Sequence, residues 1–418
     1  MSTFQPETDS EDELPPQWEE KATVDGKVFF INHANQSTHW NHPRTGRTKS
    51  VSKSLPFGWE RQIMNDGKVM YVDHEGQKTS FTDPRLAFAQ EDSDETAEFR
   101  QKYDASTRAM EIVHVLDLSA IVTVITGANS GIGFETARTL AFRGANVVLA
   151  CRSMAKAKKA VEKIAQVRPS ASLHPFQMDL QSLRSVKECA QKICACFEKI
   201  HVLILNAGIL DWKFELTMED QMEKMIQVNY FAQVYLAHLL KDRMAQTSNP
   251  RIVWLSAESH RFAPLQSDGL TKSGLLGTSE AKFIPIDAYN NSKVLGMAFA
   301  IEADRQWRYP WGIQSFPVHP GNMVFTNLMR NSFMFRLLFL LVSPFAKSLE
   351  QAASSVVFAG FAPDMAHSGG TYINNCFPCE PGALPRSDLA RSKIWILTKD
   401  ILQEKLRDID PDFSRRPL

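Results

Sequence analysis

Between residues 121 and 133 an apolar run, IVTVIT, gives way to a glycine-spaced turn, GANSGIG, and a helical segment follows from Phe134. Few folds accommodate that junction. Gly127, Gly131 and Gly133 let the backbone approach a pyrophosphate, which the free N–H groups of the helix N-terminus stabilise. Glycine spacing alone is a weak signal, and the strand–turn–helix setting gives it weight. Downstream, NVVLAC, SLHPFQM, HVLILN, RIVWLS and GIQSFPV are short apolar runs separated by helix-length segments. Their alternation predicts an α/β Rossmann-type, doubly wound parallel sheet with helices on both faces.

The N-terminal residues have a different texture. Trp18, Gly26, His33, Trp40 and Pro43 return 41 positions later as Trp59, Gly67, His74, Phe81 and Pro84. Each unit opens with LPxxWE, turns at Asp-Gly-Lys and runs through a β-rich segment, VFFINH or VMYVDH. The Asp-Gly pairs suit tight hairpins, because glycine accepts positive φ without steric cost. Residues 12–46 and 53–87 thus read as two small all-β modules, each dependent on a few large aromatics for its core. Residues 88–117, centred on the polar stretch QEDSDETAEFRQKYDAST, read as a linker, and 118–410 as the α/β domain. The chain is expected to be multidomain.

Charge excludes some partners. Lys plus Arg and Asp plus Glu both number 47, so no overall field invites nucleic acid or acidic lipid. The six cysteines read as reduced thiols. Cys376-x-x-Cys379 is a single pair with no matching second pair, so no metal site is expected. The acidic N-terminus lacks an apolar export segment, and the longest apolar run, Phe333 to Val342, is too short to span a membrane and carries Arg336. A buried or substrate-facing helix is expected there, with a surface that touches lipid as the alternative. Asp9, Glu11, Asp12 and Glu13 around Ser10 read as a disordered acidic run or as the flanks of a phosphorylation site. A cytoplasmic location follows. Arg44, Arg47, Lys49 and Lys53 read as a solvated linker, with nuclear import and shuttling as the alternative.

Two tryptophans 22 residues apart with a proline three positions later (Trp18, Trp40, Pro43) resemble the WW domain, a three-stranded sheet that binds proline-rich peptides. An extended polyproline helix loses little freedom on entering an aromatic groove, which supports that role. By resemblance, Trp18, Phe30 and Pro43 form the structural cluster, and Phe29, Trp40 and Thr38 the proline groove. Ile31, His33 and Gln36 line a pocket for a ligand tyrosine, implying PPxY-type partners. The second repeat departs from the pattern, with Met70 at the place of Phe29 and Phe81 at that of Trp40. Its cluster (Trp59, Tyr71, Pro84) survives, so the fold is expected to persist while peptide binding weakens or is lost. A supporting role for the first module is the alternative.

Further motifs follow in order: Asp179 after the third strand, Asn206-Ala207-Gly208 after the fourth, Asn229, Tyr289-x-x-x-Lys293, and Pro320-Gly321. Together with TGANSGIG they resemble the short-chain dehydrogenase/reductase family over roughly residues 118–400. The resemblance implies that a nicotinamide dinucleotide is held by Thr126, Gly127, Ala128, Asn129, Ser130, Gly131, Ile132, Gly133, Asp179, Asn206, Ala207, Gly208, Tyr289, Lys293, Pro320 and Gly321. Lys293 lies one helical turn from Tyr289. Its charge is expected to lower the phenol's pKa from about 10 and so make Tyr289 an acid/base. By resemblance, Lys293 also binds the nicotinamide ribose and Asn229 holds a water in a proton relay.

At the end of the second strand Cys151 and Arg152 stand where an acidic residue would contact a ribose 2′-hydroxyl. A guanidinium can fork onto a phosphate instead, so NADP(H) is favoured over NAD(H). One position departs from the family. The fifth strand ordinarily ends in a serine that hydrogen-bonds the substrate carbonyl, and here that substrate-binding position is Ala257. Losing one such donor typically costs about 2.7–4 kcal/mol. Ser259 shares the face of Ala257 if the chain stays extended, and is the candidate substitute.

Two function classes result. One is an NADP-dependent oxidoreductase for a small lipophilic carbonyl or alcohol, steroid- or retinoid-like by family resemblance. The other is chiefly a WW adaptor with a weakened or cofactor-sensing reductase domain. For a chain that joins the two domains, resemblance implies signalling and growth or apoptosis control, and association with mitochondrion or Golgi.

Overall fold

The computed structural model describes residues 14–44, 46, 48–91, 102–277, 279–321, 347–416 and 418. The apolar run Phe333–Val342, the acidic run around Ser10 and Arg47 of the basic stretch lie outside them. The chain divides into two compact units. The smaller holds the chain to Lys102 together with His114–Leu116, and the larger Tyr103–Val113 and Asp117–Leu418.

In the smaller unit each repeat is a three-stranded antiparallel sheet. The first contains β1 (Trp18–Ala22), β2 (Val28–Asn32) and β3 (Ser37–His39), and the second β4 (Trp59–Ile63), β5 (Val69–Asp73) and β6 (Lys78–Ser80). Both Asp-Gly turns place glycine at positive φ, +91° at Gly26 and +81° at Gly67. Gly26 is further constrained, since a Cβ there would lie 2.4 Å from the Val51 carbonyl oxygen. Period-two alternation sorts the first sheet's side chains. Phe30 is fully buried on one face, edge-on to His42. On the other face Glu19 lies opposite Ile31, Lys21 opposite Phe29, and Ile31 opposite Thr38.

A buried cluster ties the repeats together. Arg85 binds Asp83 with a shortest contact of 2.7 Å, and the Tyr71 hydroxyl donates to the same carboxylate at 2.8 Å. Burial and that carboxylate push the Tyr71 phenol up to about 12. Arg85 also donates to the Ser52 carbonyl at 3.1 Å and, in the first repeat, to the Thr23 carbonyl at 3.0 Å.

The larger unit is built on one eight-stranded sheet. Its strands are β7 (Val122–Thr126), β8 (Asn146–Cys151), β9 (Leu173–Gln177), β10 (Val202–Leu205), β11 (Arg251–Leu255), β12 (Gln314–His319), β13 (Tyr372–Asn374) and β14 (Phe377–Cys379). They run in the order β9-β8-β7-β10-β11-β12-β13-β14, all pairs parallel except the last. The order reverses between β7 and β10, and ligands of open α/β sheets bind at that switch point, beyond the strands' carboxyl ends.

Helices cover both faces. The main ones are α1 (Ala109–Val113), α2 (Gly131–Phe142), α3 (Met154–Val167), α4 (Leu183–Cys196), α5 (Ala232–Met244), α6 (Pro285–Trp311), α7 (Leu349–Phe361) and α8 (Asp388–Lys405). Ile252 and Trp254 of β11 join the core shared with α4, α5, α6 and α8. Val253, pointing the other way, approaches Gly360 of α7.

Part of the stretch 88–117, expected to be linker, is an ordered strap on the larger unit. Tyr103, Ala109, Ile112 and Val113 are buried, α1 packs against α7 and α2, and the Tyr103 ring meets Phe358 edge-on at 5.8 Å. Its helix, Ala109–Val113, spans little more than one turn, too short to show a helical period.

Candidate active site

The turn between β7 and α2 is folded tightly against the end of β10. Asn206 Nδ2 donates to the Thr126 carbonyl at 2.8 Å, and the Ala207 amide donates to Thr126 Oγ1 at 2.9 Å. Gln233 completes the lock, accepting from Thr126 Oγ1 and donating to the Ala207 carbonyl. A Cβ at Gly133 would lie 2.4 Å from Asn206 Nδ2. Gly127 and Gly131 have φ of +67° and +59°. Helix α2 begins at Gly131, and Ser130 at its N-cap makes no side-chain bond to it, which leaves its first N–H groups for an anion. The turn fits a dinucleotide pyrophosphate.

From Gly208 the site continues to α6. A Cβ on Gly208 would lie 3.5 Å from both Asn229 Oδ1 and Lys293 Nζ. Asn229 sits in a single π-helical turn, Gln227–Phe231, that leads into α5, a distortion often found at functional sites. Its amide accepts from the Ile209 N–H at 2.8 Å and donates to the Ile209 carbonyl at 2.9 Å and to Ser292 Oγ at 3.0 Å. Ser292 in turn donates to the Tyr289 carbonyl at 2.7 Å. Lys293 Nζ donates to the Leu255 carbonyl at 2.9 Å and stands 5.6 Å from the centre of the Tyr289 ring. The structure thus links Thr126, Gly127, Asn206, Ala207, Gly208, Asn229, Lys293 and Tyr289 into one contiguous site.

Electrostatics correct one expectation. Burial raises the Tyr289 phenol well above its ordinary value and pushes Lys293, only 7% exposed, down to about 8. In the chain alone, desolvation of both groups outweighs the help that the ammonium was expected to give the phenol, because Lys293 Nζ is turned to the Leu255 carbonyl.

Ala257 ends the extended segment after β11, and residues Glu258–Phe262 form a 3₁₀ turn. Strand alternation therefore does not carry to Ser259, whose placement rested on a continuing strand. The turn packs on α6, and Ser259 Oγ is enclosed with no hydrogen-bond partner among the described residues. Residues that the sequence left unread hold this turn. His260 Nδ1 donates to the Ala257 carbonyl at 2.8 Å while its Nε2 accepts from the Gly382 amide at 3.0 Å, and the Tyr372 hydroxyl donates to Glu258 at 2.8 Å. These partners come from strand β13 and the segment after β14, so no local pattern announces them.

At the end of β8, burial raises the Cys151 thiol to about 11, and the backbone N–H groups of Ala128 and Asn129 face its sulfur. Arg152 beside it is exposed, and nothing among the described residues pairs with its guanidinium. Asp179 accepts from the Gln181 amide at 3.0 Å, an Asx-type turn beyond β9. Pro320 is buried after β12, and Gly321 has φ +99° with Asn375 and Lys347 side chains where a Cβ would be. Ile132 is buried in the first turn of α2.

In the first module Phe29 and Trp40 meet edge-on with ring centres 5.8 Å apart, and Trp40 is 55% exposed. Ile31 and Thr38 continue that face, and His33 and Gln36 follow β2, with Gln36 at φ +56°. Phe81 of the second module is 65% exposed at the matching place.

Family models match the short chain dehydrogenase over residues 121–265 and the WW domain over 14–43. The chain is 45% identical over 401 residues to the WW domain-containing oxidoreductase of Gallus gallus, covering 96% of each. The chain belongs to the WW domain-containing oxidoreductase family. It is also 31% identical to retinol dehydrogenase 12 of Mus musculus, over 67% of this chain and 86% of that one. A solved short-chain type dehydrogenase/reductase from Mycobacterium marinum shares the fold, with a TM-score of 0.50 at 17% identity over 63% of this chain and 96% of that one. As in this family, a proline-rich peptide module is joined to a short-chain oxidoreductase. Among the described residues no helix is long and apolar enough to cross a membrane.

Proposed function

We propose that the larger unit interconverts a small lipophilic carbonyl and its alcohol with NADP(H), while the first WW module binds PPxY-containing proteins. The observation that carries the enzymatic half is the unbroken chain of contacts from the glycine turn to Tyr289. A dinucleotide whose pyrophosphate sits at that turn would bring a nicotinamide to supply or take the hydride. The chain's own residues manage the proton. Tyr289 Oη, which makes no hydrogen bond among the described residues, gives its proton to the substrate oxygen, and Lys293 stands close enough to stabilise the phenolate left behind. Asn229 fixes the backbone at Ile209 and, through Ser292, the turn of α6 that carries Tyr289.

Arg152 supports NADP(H) over NAD(H), being exposed and unpaired beside a buried Cys151 with no carboxylate to repel a 2′-phosphate. The 31% likeness to a retinol dehydrogenase supports a lipophilic substrate. The pairing with a peptide module supports a role in signalling that governs growth or apoptosis, in the cytoplasm.

Ala257 favours a second reading, an adaptor whose reductase is slow or senses cofactor. Titrating the full chain with NADPH and NADH by nicotinamide fluorescence, then assaying steroid and retinoid carbonyls, separates the two. Tighter NADPH binding with measurable turnover supports the enzyme. Binding without turnover supports the second reading, and binding of neither dinucleotide defeats both.

A further inference from the structure

We infer that Glu19 is a positioning residue that sets the first module's preference for a ligand tyrosine, by holding His33 with its proton on Nε2. The inference rests on the reading that Ile31, His33 and Gln36 receive that tyrosine. The register places Glu19 opposite Ile31 on the same face as Phe29 and Trp40. Glu19 Oε2 lies 3.0 Å from His33 Nε2, and Lys21 Nζ approaches the same oxygen at 3.4 Å.

A carboxylate only accepts, so the proton of this hydrogen bond sits on Nε2. In the neutral ring the lone pair is then on Nδ1. An acceptor there takes the hydroxyl hydrogen of a tyrosine and has nothing to take from a phenylalanine. Were the proton on Nδ1 instead, the ring would lose its bond to Glu19 and offer the ligand a donor. Glu19 therefore acts on the ligand only through His33.

The second module supplies an independent instance. His74 Nε2 lies 2.7 Å from Glu60 Oε2, and that bond holds the Glu60 carboxyl below its ordinary range. Val72 and Thr79 pair there as Ile31 and Thr38 do, and Gln77 has φ +48°. The pair persists although Met70 and Phe81 have replaced the proline-gripping aromatics. The Glu–His pair is thus built independently of the proline-gripping aromatics.

The test uses the full chain and two synthetic peptides that differ only in ending PPPY or PPPF. Calorimetry on wild type, Glu19→Leu and Glu19→Gln should show a preference for PPPY in wild type. Glu19→Leu should reduce it about threefold, as expected for an exposed charged hydrogen bond, by weakening PPPY binding alone. Glu19→Gln, whose amide oxygen still accepts from Nε2–H, should retain it. Long-range 1H–15N spectra of histidine-labelled protein, with His33→Ala to identify the signal, should show the Nε2–H tautomer in wild type, with that proton exchanging faster with water in Glu19→Leu. Equal weakening of both peptides, an unchanged preference, or an Nδ1–H tautomer in wild type overturns the inference. If wild type binds neither peptide, the PPxY reading fails, and the tautomer alone decides whether Glu19 holds His33.

Discussion

The two units depart from a complete site in the same manner. In the smaller unit the second module keeps the three strands, the Asp-Gly turn and the His–Glu pair of the first, yet carries Phe81 where the first has Trp40. In the larger unit the glycine turn, Asn229, Lys293 and Tyr289 are assembled, yet Ala257 stands where the family resemblance leads one to expect a serine. The frame and the group it presents are thus separable. A frame is held by burial and backbone hydrogen bonds spread over many residues, whereas the differing group is a single side chain.

That comparison can be broken most sharply at Tyr289. If the assembled frame is catalytic, Tyr289→Phe should lower kcat about 10²–10⁴-fold while NADPH affinity stays within twofold. An unchanged kcat would mean that the frame holds cofactor only. Next in size is Ala257→Ser. Returning the hydroxyl should raise kcat about 10²–10³-fold, as the loss of one oxyanion donor costs that much elsewhere. A flat response would show that another donor serves, and Ser259→Ala, measured alongside, would reveal whether it is Ser259.

For the peptide modules, Trp40→Ala should weaken PPxY binding about 30-fold, the effect of losing a central aromatic anchor, and Phe81→Ala should change it less than twofold. Comparable losses would erase the distinction between the modules. The smallest effect is in pH. Activity that needs the Lys293 ammonium should fall about tenfold between pH 7 and 9, because burial has brought this lysine down to about 8. Its contribution to stability runs the other way. The unfolded chain binds more protons at this lysine between pH 8 and the ordinary lysine range, so folding gains as pH rises through that window. A rate profile flat to pH 9 would remove Lys293 from the proton step.

Much of this was legible in residue order. The repeat, the glycine turn and the strand–helix alternation are local patterns, and the sheet realises them as read. The site residues from Thr126 to Lys293 lie far apart along the chain, and all but Asn229, which sits in a π-helical turn, fall at a strand end or one helical turn from another. What escaped depends on distant partners. The 3₁₀ turn that takes Ser259 out of strand alternation is held by Gly382 and Tyr372. The rise of Tyr289's pKa comes from desolvation of the phenol, which spacing to Lys293 does not report. Cys151 was read for the charge it lacks, whereas its thiol is seated under the glycine turn.

The strap at Tyr103–Val113 bears on where this protein can be cut. A reductase fragment started at residue 118, where composition changes, would strip Ile112 and Val113 from α7 and leave Phe358 without its aromatic neighbour. Each large apolar side chain so removed forfeits about 1.5–3 kcal/mol of burial. A fragment begun at Lys102 retains them, and should be the more soluble and heat-resistant preparation of the two.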